Sequence, residues 1–102
     1  MIELAANFLV GGLLCNSIPH LFTGLRGERF PSPFAKPPGV GYSHPVVNVI
    51  WGLVNAIAAL LLLDFAPVTV GLDASFLSAV LGAFVSGTFL AYYFNRLRKK
   101  SA

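Results

Sequence analysis

Three apolar stretches of about 21 residues divide this chain, each long enough to cross a lipid bilayer as a helix. They run from about Leu4 to Gly24, Pro45 to Phe65 and Ala74 to Phe94. A helix of that length spans roughly 31 Å, against a hydrocarbon core of about 30 Å. The stretches are too long for strands and show no period-two alternation. The sequence therefore predicts an all-α fold, a three-helix transmembrane bundle forming one integral membrane domain over residues 1–102.

The charges fit this reading. Only 11% of the 102 residues are charged, less than half of the roughly 25% usual in a soluble domain. All seven basic residues lie on one side of the spans: Arg26, Arg29 and Lys36 between the first and second, and Arg96, Arg98, Lys99 and Lys100 after the third. Glu3, Asp64 and Asp73 lie on the other side, and only Glu28 breaks the pattern. Lys and Arg collect in cytoplasmic loops, so the N-terminus is expected outside and the C-terminus in the cytoplasm. The net charge of +3 is confined to a loop and a tail. That suits anionic membrane lipid and leaves no basic fold for nucleic acid.

The N-terminal stretch lacks Lys or Arg before its apolar run and has no Ala-x-Ala site, so it reads as a retained span rather than a signal peptide. The single cysteine, Cys15, lies inside it and has no partner for an internal disulfide. Ser43 is expected to cap the second helix, with Pro45 in its first turn, and Asp73 the third. Pro19 should kink the first helix and free a carbonyl near Cys15. Tyr92 and Tyr93 should stand at the inner interface.

The segment from Leu25 to His44 holds four prolines, three glycines and three aromatic residues. Prolines exclude helix from most of it. A loop of about 20 residues is long for so small a protein and points to function or disorder. Its Phe and Tyr content speaks against a free linker. Extended structure lying on the membrane or over the helix ends is expected, with Phe30 and Phe34 dipping into the interface.

Small residues on the third helix form two adjacent stripes, Ser78, Gly82 and Ser86, and Ser75, Ala79, Ala83, Gly87 and Ala91. Such stripes let helix backbones approach closely in lipid. They serve either packing within the chain alone, or two partners, one inside the chain and one outside it. Asn48, Gly52, Asn55 and Ala59 form one seam on the second helix, and Gly12, Asn16 and His20 one face of the first. Counted from the basic side, these polar groups converge in the inner half of the bundle. Polar side chains are costly at that depth and face a bundle interior or a water-filled cavity.

Two roles suit them. In the plainer one, Asn16, His20, Asn48 and Asn55 bond one another as helix glue. In the other, they line a ligand pocket with Arg26, Arg29 and Lys36 at its mouth, suited to an anion or a lipid head group. A proton-linked role for His20 lacks an intramembrane carboxylate to receive the proton. His20, His44 and Cys15 make no metal-ligand spacing. Ser17, Ser32 and Ser43 have no base and acid beside them. Neither an enzyme, a metal site nor a cofactor is expected.

Ser17-Ile18-Pro19-His20, Phe30-Pro31-Ser32-Pro33-Phe34-Ala35, Pro37-Pro38-Gly39 and Asn48-Val49-Ile50-Trp51-Gly52 together resemble a group of small bacterial integral membrane proteins with no known activity. The likeness covers Asn16 to Asn55 and implies no function. His20-x-x-x-Gly24-x-Arg26 is also similar to the haem-ligand segment of the cytochrome b subunits of succinate dehydrogenase. It lacks a second His after Arg26 and lies on the first span, so no haem is expected. The expected function is that of a structural or interaction protein of a bacterial inner membrane. It would act as a homo-oligomer or as a subunit with another membrane protein. The alternatives are a small transporter or channel with a polar site in its cytoplasmic half, and an anionic lipid-binding module.

Overall fold

The structure is a computed structural model that describes residues 1–101, the side chain of Ser101 excepted. It contains α1 (Ile2–Leu25), β1 (Phe30–Pro31), β2 (Tyr42–Ser43), α2 (Pro45–Phe65) and α3 (Ala74–Ser101). All three helices are long and apolar enough to cross a membrane, and the chain is a multi-pass membrane protein of the all-α class. α2 has the bounds expected from its apolar run. α3 is longer than expected: it continues through Arg96, Arg98, Lys99 and Lys100. Those residues are good helix formers and complement the negative end of the helix dipole. At 28 residues it extends about 42 Å, close to the 43 Å long axis of the molecule.

The helix starts differ in chemistry. Pro45 occupies the first turn of α2, but its cap is His44, whose Nδ1 accepts the Val46 N–H at 3.1 Å. Ser43 does not cap α2, because β2 commits it to pairing with Phe30 and to a side-chain hydrogen bond with Ser32. Asp73 Oδ1 does accept the Phe76 N–H at the start of α3, at 2.9 Å. α1 runs unbroken through Pro19. Ser17 and Thr23, on either side of it, return their hydroxyls to the carbonyls of Leu14 and Pro19.

α1 is the shared helix of the bundle. α2 and α3 each pack along it and barely touch each other. Both crossings are made by glycine. At α1–α2, a Cβ on Gly24 would meet the Pro45 carbonyl, and one on Gly52 would meet Leu21. At α1–α3, a Cβ on Gly82 would strike the Phe8 carbonyl and one on Gly11 the Ala79 carbonyl. Ser78 and Ser86 donate to the α1 carbonyls of Leu4, at 2.7 Å, and Gly12, at 3.2 Å. Backbones this close exchange dispersion and hydrogen bonds in place of the hydrophobic drive that lipid does not supply.

The segment between α1 and α2 is folded back over the basic-side ends of the helices. β1 and β2 pair antiparallel, with Phe30 opposite Ser43. The Ser32 carbonyl accepts the N–H groups of Ala35 and Gly39. Gly39 has φ +71°, where a side chain is strained, and its carbonyl accepts the Tyr93 hydroxyl of α3 at 2.6 Å. The two phenylalanines separate instead of dipping together. Phe30 turns inward between the rings of His20 and Phe94. Phe34 stays exposed and stands edge-on to Trp51.

Candidate functional site

The polar residues of the spans form two linked tiers between α1 and α2. In the deeper tier Asn16 Nδ2 donates to Asn55 Oδ1 at 3.0 Å, and Asn55 Nδ2 returns to the Trp51 carbonyl at 2.8 Å. One helical turn nearer the basic side, His20 Nδ1 and Asn48 Oδ1 are 2.7 Å apart. Asn48 Nδ2 donates to the Phe30 carbonyl at 2.9 Å and to the Ser43 carbonyl at 3.4 Å. Asn48 is fully buried and His20 only 3% exposed.

These bonds assign the histidine tautomer. The two carbonyls orient the Asn48 amide with its nitrogen toward the loop, so its oxygen faces the imidazole. That oxygen only accepts, so His20 Nδ1 carries the proton. In the neutral ring Nε2 is then a bare acceptor. The expected convergence of Asn16, His20, Asn48 and Asn55 is therefore present, and it extends into the loop through β1 and β2.

Beside this network lies a cavity of ≈ 180 Å³. Asn16 and His20 form its polar wall, Pro31, Ser32 and Gly39 belong to the loop, and Trp51, Phe89, Tyr93 and Phe94 supply aromatic rings. The expected basic mouth is absent: Arg26, Arg29 and Lys36 do not line this cavity, and all three are exposed. Arg26 pairs with Glu28 at 3.3 Å and lies over the Phe22 ring. Gly27, with φ +75°, makes the turn between the two.

Of the small residues expected to pack helices, Ser78, Gly82 and Ser86 face α1, as their contacts with Leu4, Phe8 and Gly12 show. Gly87 lies beside Cys15. The second stripe also borders a groove. Two hollows of ≈ 330 and ≈ 280 Å³ share Cys15 and Ile18, so they are continuous along the α1–α3 seam. Gly11, Ala79, Ala83, Gly87 and Ala91 line it together with Leu14, Ile18, Val80 and Leu90.

Asn7 is a polar site that the sequence reading passed over. It is fully buried, donates Nδ2 to the Ala66 carbonyl at the end of α2 at 2.8 Å, and leaves Oδ1 enclosed without a partner. Its signal was available: an asparagine inside an apolar span is costly enough to need a partner. Among the described residues, no three His, Cys, Asp or Glu side chains gather as a metal site. No protein-family model, curated protein or solved structure matches this chain.

Proposed function

We propose that this chain is a non-enzymatic membrane protein that works as one component of a larger membrane assembly, formed with further copies of itself or with another membrane protein. The observation that carries this reading is the groove along α1 and α3. Elsewhere the outward surfaces are built from bulky apolar side chains such as Leu53, Ile57, Leu61, Leu77, Leu81 and Phe84, which suit contact with acyl chains. The groove adds glycine, alanine and Cys15 between Leu14, Ile18, Val80 and Leu90, and small residues set among bulky ones admit another helix. Only 6% of the α3 span is buried within the chain, against 28% for α1. The internal bonding of Asn16, His20, Asn48 and Asn55 supports helix glue over the lining of a transport path.

The charge asymmetry supports an orientation with both basic segments in the cytoplasm. Reporter fusions at each terminus test that orientation. Cys15 tests the assembly, because it lies in the groove. A membrane-permeant bismaleimide applied to native membranes should join Cys15 to a second copy or to a distinct neighbour. Ala83→Leu and Ala91→Leu should each reduce the cross-linked fraction at least several-fold. Absence of any cross-linked product, with Cys15 fully alkylated as a monomer, would overturn the reading.

A further inference from the structure

The cavity beside His20 has a feature that helix glue does not use. We propose that it is a binding site for a neutral flat ring bearing a hydroxyl group, a phenol in chemical class, which donates its hydroxyl to His20 Nε2. This inference is independent of the assembly proposed above.

Three observations carry it. His20 is 97% buried by its 3% exposure, yet it lines the cavity. Its Nδ1 is committed to Asn48, which leaves the lone pair on Nε2 for an outside donor. Asn16, also in the wall, commits Nδ2 to Asn55. The site therefore offers the His20 Nε2 acceptor, and a cation-free wall, to whatever enters. That selects a hydrogen-bond donor and disfavours an anion.

Size and lining narrow the class. An apolar cavity of about 150 Å³ takes up benzene, so ≈ 180 Å³ admits one substituted six-membered ring. Trp51, Phe89, Tyr93 and Phe94 present aromatic faces and edges, which favour an offset or edge-on aromatic guest over an aliphatic one. The Tyr93 hydroxyl is already given to the Gly39 carbonyl, so it does not compete for Nε2. The loop that supplies Gly39 also holds Asn48 through Phe30 and Ser43. One folded segment thus sets the tautomer and forms part of the wall of a partly open cavity.

The test uses the full chain in lipid nanodiscs, labelled with ¹⁵N-histidine and titrated with 4-fluorophenol. Saturable binding should shift the His20 Nε2 resonance while leaving that of His44 unchanged. Capping the hydroxyl in 4-fluoroanisole should weaken binding by about tenfold, the loss of one hydrogen bond. Leu90→Trp should abolish binding by filling the cavity, without removing any polar bond. His20→Phe should abolish it as well, and Leu90→Trp keeps the proposal falsifiable if that variant fails to fold. Competition by 4-decylphenol distinguishes delivery of the ring from the bilayer, when the tailed ring is the stronger competitor, from delivery from water, when it is the weaker. Both supply the same site. Equal binding of phenol and ether, unaltered binding by Leu90→Trp, or a proton found on Nε2 rather than Nδ1 would overturn the assignment.

Discussion

His20 of α1 and Asn48 of α2 meet at 2.7 Å, and the same asparagine holds the loop through the carbonyls of Phe30 and Ser43. One amide thus joins two helices and both strands β1 and β2. Intramembrane hydrogen bonds average about 0.6 kcal/mol each, so Asn48→Ala should destabilise the chain by about 2 kcal/mol. The loop amides of Ala35 and Gly39, which bond to the Ser32 carbonyl, should exchange hydrogen faster. Thermal unfolding in micelles and hydrogen exchange measure the two effects. Unchanged loop exchange would show that Asn48 does not anchor the loop.

The Tyr93 hydroxyl fastens the loop to α3 through the Gly39 carbonyl at 2.6 Å. Tyr93→Phe keeps the ring against Phe94 and deletes only the bond, which is worth about 1 kcal/mol. Trypsin cleavage after Arg29 should accelerate severalfold while the helices keep their circular dichroism. Equal cleavage rates in both proteins would mean that β1, β2 and Asn48 suffice to hold the loop.

Gly82 and Gly71 form an internal comparison. A Cβ on Gly82 would strike the backbone carbonyl of Phe8, whereas one on Gly71 would meet nothing within 4 Å. Backbone atoms on a packed helix do not step aside as a flexible side chain does. Gly82→Ala should therefore cost about 2 kcal/mol or more by separating α1 from α3, and Gly71→Ala should stay within about 0.5 kcal/mol of the parent. Unfolding of both variants in mixed micelles decides this, and equal stabilities would refute the close crossing.

Asn7 ties α1 to the far end of α2 through the Ala66 carbonyl at 2.8 Å. Asn7→Ala should cost about 1 to 2 kcal/mol, because it leaves that buried carbonyl without its donor. Asn7→Asp should cost more, since a carboxylate brings a second acceptor, or a charge, where only a donor is wanted. The order Asp worse than Ala, read from unfolding midpoints, is the outcome expected.

Much of the helix pattern was legible because it follows from local physics. An apolar run of about 20 residues has one backbone solution in lipid, which is why α2 matches its apolar segment. Asp73 and Pro45 act as their positions suggest, through capping and first-turn chemistry. Ser43 misled because capping competes with strand pairing, and the chain settles that contest only when Phe30 is brought opposite it. The end of α3 was misplaced because hydropathy reports where lipid ends and is silent on where a helix does. Arg26, Arg29 and Lys36 were grouped with the polar cluster by their level in the membrane alone. Level does not record direction, and the turn at Gly27 points Arg26 toward Glu28.

The amino-acid sequence alone determined that three helices cross a membrane and that Asn16, His20, Asn48 and Asn55 lie at neighbouring depths, because span length and helical rise are fixed by backbone geometry. Only the tertiary structure decided that α1 is shared by the other two helices, that the loop closes over the polar network, and that His20 holds its proton on Nδ1. Those outcomes depend on which faces meet, and faces are chosen by close contacts between residues far apart in the chain: Gly82 on Phe8, Gly24 on Pro45 and Asn48 on Phe30.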